Sequence, residues 1–118
     1  MKAQVACAGS PTPIWANLRR VGRIEALEEA LRRLAPRIPR HELGAVIDHA
    51  RASPGLRTAA PEAAAWLSLV AYIRHALTDY DELLDEGYDA ESARFFVRES
   101  INEVLEEWGA ARRVGEGE

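Results

Sequence analysis

The clearest helical pattern in the chain lies at residues 61–86, PEAAAWLSLVAYIRHALTDYDELLDE. Its large apolar residues recur at steps of three and four, the spacing that places side chains on one face of an α-helix. That face consists of Trp66, Leu69, Val70, Ile73, Leu77, Tyr80 and Leu84. Pro61 suits the first turn of a helix, and Gly87 suits a left-handed cap after its end. The pattern therefore predicts one long helix over about Pro61–Glu86.

Two helices are predicted on the N-terminal side of this stretch. Helical spacing begins near Ile14, with Gly22 as a candidate break and a main helix over about Arg23–Ala35. Pro36 ends it, because proline disfavours a helical conformation in the residue before it. A further helix is predicted over about Arg40–Ala52.

One more helix is predicted on the C-terminal side, over about Ala90–Trp108, with Asp89 as its N-cap. The short link through Gly87 predicts an antiparallel hairpin of the long helix with this last one. No convincing period-two alternation occurs, so the fold class is all-α, a four-helix single domain. The predicted organisation is a mobile N-terminal arm (1–13), a helical domain (14–111) and a polar tail (112–118).

Length and composition limit the class of protein. A chain of 118 residues is sized for one domain with its own core. Its one cysteine excludes an internal disulfide framework. No apolar run approaches the roughly 20 residues needed to span a bilayer, so no membrane association is predicted. We expect a cytoplasmic protein, and no motif predicts a cofactor.

The net charge of −4 is the sum of a positive charge on one half of the chain and a larger negative charge on the other. Residues 1–57 hold ten Lys/Arg and five Asp/Glu, whereas residues 58–118 hold five Arg and fourteen Asp/Glu. Such asymmetry indicates either nucleic-acid contact through the basic half or packing of the halves on each other or on a second copy. Packing is the preferred interpretation, because a net acidic chain is repelled by phosphate at long range.

A group of polar residues lies beside the apolar faces of the last two predicted helices. An antiparallel hairpin would set Arg94 and Arg98 against Asp81 and Asp85 as charge-assisted pairs. The first hypothesis is a polar seam that fixes helix register. The second is a ligand- or phosphate-binding groove. The residues of this candidate binding region are Arg74, His75, Thr78, Asp79, Asp81, Arg94 and Arg98.

The histidines are weak candidates for chemistry. His75 and Asp79 have the i, i+4 spacing of a base and its orienter or of two metal ligands. A surface or inter-subunit contact explains the pair as well. His49 is a further weak metal candidate only if its helix crosses the long helix nearby; otherwise it is a half-buried core histidine. No metal site is predicted.

Phe95 is predicted to point away from the apolar face of its own helix. A large aromatic side chain in that position is either covered by the first helix or the arm, or it belongs to a protein interface. The simplest interface is a homodimer, in which the basic half of one subunit faces the acidic half of the other. Trp15 is a candidate second member of this interface, and Trp66 a third.

The chain also resembles a known family over about residues 34–108, the domain-of-unknown-function family 2293 of bacteria and fungi. The resemblance depends mainly on Tyr72-Ile73-Arg74-His75 followed by Thr78-Asp79-Tyr80-Asp81-Glu82-Leu83-Leu84. Supporting positions are Pro-Arg-Ile-Pro at 36–39, His49-Ala50, Gly87, Ala93-Arg94, Ile101, Leu105 and Trp108. The family implies the extent of the domain, but it implies no activity.

Two functions remain open. The first is a non-enzymatic interaction module that self-associates. The alternative is a nucleic-acid-associated protein whose N-terminal arginines bind phosphates. One form of it is a metal-dependent hydrolase, in which the Arg74–Asp81 segment would hold the metal or act as acid and base. Those arginines are Arg19, Arg20, Arg23, Arg32, Arg33, Arg37 and Arg40.

Overall fold

The computed structural model describes residues 14–115, and it describes side chains for residues 22–115. These residues form five α-helices and no β-strand, which confirms the all-α class. The helices are α1 (Ile14–Leu34), α2 (Arg40–Ala52), α3 (Pro61–Leu77), α4 (Tyr80–Asp85) and α5 (Ala90–Glu107), with a 3-10 turn at Pro54–Leu56. Gly22 does not break α1. The predicted arm, 1–13, lies outside the described residues.

The prediction of one helix over Pro61–Glu86 is wrong, because the chain leaves the helix at Thr78. Its backbone is extended, with φ −131° and ψ 176°. The Thr78 hydroxyl donates to the carbonyl of Arg74 and accepts from the N–H of Tyr80 at 3.2 Å. A threonine hydroxyl can replace helical partners of nearby backbone groups in this way. The described residues therefore hold five helices where four were predicted.

Gly87 ends α4 in the left-handed conformation that the sequence predicts, with φ +108°. The N–H of Tyr88 donates to the carbonyl of Leu83 at 3.1 Å, and the N–H of Gly87 donates to that of Leu84 at 3.1 Å. These two bonds are those of a Schellman motif, which satisfies carbonyl groups at a helix end. The tight turn brings the chain directly to α5, where the Asp89 carboxylate accepts from the N–H of Ser92 at 2.7 Å.

Helix α3 packs against α1, α2 and α5. From the predicted apolar face, Trp66, Leu69, Val70, Ile73 and Tyr80 are buried. Leu77 and Leu84, which the same face includes, are instead exposed by 41% and 36%. The break at Thr78 explains the exposure of Leu84, because α4 no longer continues the rotation of α3, whereas Leu77 is the last residue of α3.

The C-terminal segment is packed, although its polar composition predicts a tail. Val114 is buried. Its N–H donates to Asn102 Oδ1 at 2.8 Å, and its carbonyl accepts from Asn102 Nδ2 at 3.2 Å. The Arg112 guanidinium lies 4.0 Å from the centre of the Trp66 ring. The segment is therefore attached as far as Val114, because the buried Asn102 side chain offers its backbone both a donor and an acceptor.

The end of α5 is held to the turn that follows α1. The N–H of Arg37 donates to the carbonyl of Trp108 at 2.8 Å, and its guanidinium donates to those of Glu106 and Glu107. Carbonyl groups in the last turn of a helix have no partner four residues further on, and at the end of α5 they are satisfied by Arg37 and by the N–H of Gly109, which donates to Glu106 at 3.0 Å. Within the described part of the chain, no helix is both long and apolar enough to cross a membrane.

Candidate functional site

Because the chain leaves the helix between α3 and α4, His75 contacts Asp81 and not Asp79, the partner that the sequence predicts. His75 Nδ1 lies 2.7 Å from Asp81 Oδ1, and its ring meets the Tyr80 ring edge-to-face at 5.2 Å. The predicted partner, Asp79, belongs to the break itself, so the i, i+4 geometry of a continuous helix is lost. Asp81 becomes the partner because α4 starts again at Tyr80.

Asp79 lies beside Glu82 instead. A hydrogen bond shared with the Asp79 carboxyl, together with the repulsion between the two charges, raises the pKa of Glu82. Two carboxyl groups in contact favour retention of a proton on one of them. Asp79 therefore belongs to a group of acids and not to a histidine pair.

The weak metal candidates do not converge. Among residues 14–115, no group of three or more His, Cys, Asp and Glu side chains is arranged to hold a metal ion. His49 is half-buried, and its Nδ1 atom is buried without a hydrogen-bond partner. The structure thus separates His49 from the pair that His75 forms with Asp81.

The predicted pairs of Arg94 and Arg98 with Asp81 and Asp85 are absent from the described residues. Asp81 turns to His75, and the Arg98 guanidinium lies over the ring of Phe95, 5.0 Å from its centre. Charge-assisted pairs therefore do not set the register of α4 on α5.

Arg74 is a half-buried cation near the same break. Its guanidinium lies 5.6 Å from the centre of the Tyr80 ring, and its Nε atom is buried without a hydrogen-bond partner. Burial lowers the pKa of Arg74, and the positive charge of Arg94 lowers it further, whereas Tyr80 opposes both effects. Neither Arg74 nor Arg94 forms an ion pair with a carboxylate of the described chain.

Three exposed aromatic side chains at the α4–α5 turn form what we call the aromatic cluster: Tyr88, Phe95 and Phe96. Their exposed fractions are 45%, 60% and 55%. Tyr88 meets Phe96 edge-to-face at 5.4 Å, and Phe95 meets Phe96 at 5.9 Å. The outward direction predicted for Phe95 agrees with this exposure, and Tyr88 and Phe96 extend the apolar area around it.

Of the other aromatic residues proposed for this interface, Trp66 is buried in the core and does not contribute. The side chain of Trp15 lies outside the described residues. Sequence reasoning missed Tyr88. Its position directly after the capping Gly87 was the available signal, because a Schellman motif often places an apolar residue there.

The aromatic cluster adjoins a strongly acidic stretch. Residues 78–91, which we call the acidic segment, contain seven Asp/Glu and no Lys or Arg. Within it, Asp81, Glu82, Asp85, Glu86 and Asp89 are exposed. Exposed apolar rings and a high density of negative charge are therefore adjacent on the chain.

Several arginines proposed for phosphate contact are already engaged within the chain. Arg32 pairs with Glu28 at 2.6 Å, and Arg33 pairs with both Glu29 and Glu62. Arg23 donates to the carbonyl of Leu56 at 2.8 Å, and Arg37 caps α5 as described. Arg40 is exposed and has no ion pair among the described residues. The side chains of Arg19 and Arg20 lie outside the described range.

These features define a small all-helical protein with an exposed aromatic cluster beside an acidic segment. A family model described as "Uncharacterized conserved protein (DUF2293)" matches residues 30–109, and the chain belongs to that family. The match confirms the resemblance seen in the sequence, and it contains both the aromatic cluster and the acidic segment. No curated protein and no solved structure matches the chain.

Proposed function

We propose that this protein is a helical interaction module, not an enzyme, and that it self-associates through the aromatic cluster. The observation that carries the proposal is the exposure of three adjacent rings that already contact one another. A whole aromatic side chain can bury about 150–250 Å², and these three rings, exposed by 45%, 60% and 55%, keep roughly half of that area available for a contact. Exposed apolar patches of this kind mark interaction sites in soluble proteins.

The charges around the cluster favour a particular arrangement of two copies. Direct stacking of one cluster on the other would bring two acidic segments together, seven carboxylates against seven. Residues 14–57 of a second copy offer nine Arg against five Asp/Glu, a net charge of +4. In a two-fold dimer the contact occurs twice, so the aromatic and acidic surface of each subunit would face the arginine-bearing helices of the other.

We also propose that α3 and α5 run antiparallel, as the sequence predicts. One contact supports this direction: the Arg112 guanidinium, beyond the end of α5, lies over the Trp66 ring, near the start of α3. The charge of Arg94, near the start of α5, also lowers the pKa of Arg74, near the end of α3, which agrees with it. In this arrangement the aromatic cluster, the acidic segment and Arg74 share one end of the helix pair.

Sedimentation equilibrium at several protein concentrations tests self-association. We expect a reversible dimer that Phe95→Asp converts to monomer. Leu67→Asp is the matched control, because Leu67 is 52% exposed on α3 and the substitution adds the same charge. A monomer at all concentrations, or a dimer that Phe95→Asp leaves intact, contradicts the proposal.

Salt tests the charged part of the arrangement. The Debye length falls from about 30 Å at 0.01 M salt to about 3 Å at 1 M, so facing charges of opposite sign weaken. We expect the dimer dissociation constant to rise with salt. A dimer that strengthens with salt would indicate that like-charged surfaces meet instead.

Nucleic-acid association is the second proposal carried from the sequence. It depends on the basic N-terminal half, and the partners already held by Arg23, Arg32, Arg33 and Arg37 reduce what that half can offer. Binding through phosphate contacts falls steeply with salt. Retention of DNA or RNA at low salt that disappears at high salt would support it. A cytoplasmic location is part of both proposals, and the single cysteine is compatible with it.

A further inference from the structure

We propose that the aromatic cluster of one copy packs on an exposed face of α2 in the second copy. That face, which we call the arginine row, consists of Arg40, Gly44 and Arg51. This pairing rests on the proposed self-association, and it names the surface that the second copy contributes. Three properties of the row support it: free positive charge, exposure, and an open gap between the two arginines.

Free positive charge distinguishes α2 from the rest of the basic half. Arg40 and Arg51 are exposed, and neither makes an ion pair or a side-chain hydrogen bond within residues 14–115. Other arginines of the basic half are held by acceptors of their own chain: Arg23, Arg32, Arg33 and Arg37. Among the described side chains, the free arginines of this half lie on α2 and, at Arg57, just after the 3-10 turn that follows it.

The members of the arginine row share one side of α2. Their spacing of four and seven residues places them within about 40° of one another around the helix axis and along about 16 Å of it. Asp48, an exposed acid of the same helix, lies about 80° from Arg40 and therefore beside the row. Gly44 is exposed, and a Cβ added to it would meet no atom within 4 Å. The row is thus an open gap between two cations.

Helix α5 presents the complementary order of groups. Glu91, Phe95 and Glu99 are exposed and lie one turn apart, so a ring stands between two carboxylates about 6 Å before and after it along the axis. Glu99 approaches Arg113 only to 4.0 Å, with both side chains exposed, and such a contact contributes little. Packing of Phe95 on Gly44 would bring the two arginines of the row toward these carboxylates.

The chemistry of the two surfaces favours this contact. Glycine lets another group come close to a backbone, at a cost in helix stability relative to alanine. An aromatic ring seated on Gly44 would use the space that a side chain would otherwise fill. The rings of the cluster also accept guanidinium groups, because the Arg98 guanidinium lies 5.0 Å from the centre of the Phe95 ring in the same chain. A ring between arginines therefore gains both apolar contact and favourable charge.

Sedimentation equilibrium on the full chain tests the gap and the charge with matched variants. Gly44→Gln fills the gap and should raise the dimer dissociation constant about tenfold or more, and Gly44→Ala should raise it less. Gly22→Gln is the control at an exposed glycine of α1 with equally open space. Arg51→Glu should also raise the constant about tenfold or more, because like charges then face each other, whereas Arg57→Glu, outside the row, should change it much less. Circular dichroism of each variant confirms folding.

An exchange of charges tests the pairing itself. Glu99→Arg should weaken the dimer by itself. Combined with Arg40→Glu or with Arg51→Glu, it should restore affinity in one of the two combinations, and the direction in which α2 and α5 cross decides which one. Restoration in neither combination would overturn the inference, because the row would not face the carboxylates of α5.

The outcomes distinguish this inference from the self-association on which it rests. If Phe95→Asp gives a monomer while Gly44→Gln and Arg51→Glu leave the dimer intact, the cluster associates through another surface and the arginine row is wrong. A dimer that Phe95→Asp leaves intact contradicts the proposed function itself. If Arg40→Glu and Arg51→Glu leave the dimer intact but abolish retention of DNA or RNA at low salt, the row binds phosphate groups, and the inference fails as well.

Discussion

Asn102→Ala should detach the C-terminal segment and destabilise the whole domain. Asn102 is a buried polar side chain, exposed by only 6%, and its amide makes both hydrogen bonds that the backbone of Val114 requires. Alanine removes the donor and the acceptor together. The segment must then either remain in place with two unpaired backbone groups or leave the surface of α5.

The magnitude follows from these two options. Two intramolecular hydrogen bonds contribute about 1–3 kcal/mol together, at about 0.5–1.5 kcal/mol each. Detachment also exposes Val114, whose burial contributes roughly 1.5–3 kcal/mol, and the backbone entropy that the freed residues regain offsets part of these losses. Retention leaves a buried N–H and a buried carbonyl unpaired, each at a cost of about 1–3 kcal/mol. We expect a loss of about 2 kcal/mol, because the chain takes the less costly option.

Urea unfolding at 25 °C, followed by far-ultraviolet circular dichroism, measures the loss. Asn102→Ala should lower the midpoint with little change in slope. Glu103→Ala is the control on the next, exposed residue and should change the free energy of unfolding by no more than about 0.5 kcal/mol.

A second variant tests the cause. Val114→Ala should cost less in the Asn102→Ala background than in the natural chain, because the segment is already detached there. The reasoning is refuted if Asn102→Ala is as stable as the control, or if the two substitutions are strictly additive. Either result would mean that residues 111–115 do not contribute to folding through Asn102.

Three further predictions concern the core, one turn and one half-buried hydrogen bond. The hydrogen bond to the Glu42 carboxylate, together with burial, raises the pKa of Tyr72 to about 12. The stability that this bond contributes is therefore complete below about pH 10 and is lost as the pH rises through 12. Urea unfolding across this range should show that loss of stability in the natural chain but not in Tyr72→Phe. Gly87→Ala should lower the free energy of unfolding by about 1–2 kcal/mol, because Gly87 has φ +108°. In the same assay Gly44→Ala should raise it by about 0.5–1 kcal/mol, because Gly44 lies inside α2 with open space around it. Leu69→Ala should cost about 2–5 kcal/mol, since the side chain is fully buried, and a loss below about 1 kcal/mol in thermal or urea unfolding would show that the core can close over the gap.

Much of the helical architecture was predictable because it depends on local spacing. The apolar residues of α5 that the sequence places inward, such as Val97 and Ile101, are buried. Asp89 begins that helix and Gly87 ends the one before it, as their side-chain chemistry predicts. The same local logic failed at Thr78, because apolar spacing continues through the break and a threonine is compatible with both a helix and its end.

The candidate site was less predictable because it depends on which of several possible partners each charge meets. Helical geometry assigned His75 to Asp79, and it set Arg94 and Arg98 against Asp81 and Asp85. In the structure Asp81 pairs with His75 instead, and neither arginine forms an ion pair within the described chain. Charges on a helix surface have several neighbours of similar distance, so a small rotation of one element changes the pairing.

The all-α class, the approximate position of the helices, the opposite charges of the two halves and the family were all readable from the amino-acid sequence. These properties follow from residue spacing and composition, which are local or additive. Three features required the folded chain: the exposed cluster of Tyr88, Phe95 and Phe96, the buried Arg74 nitrogen without an acceptor, and the hold of Asn102 on Val114. Each of these depends on contacts between elements, where burial and competition among partners decide which bond forms.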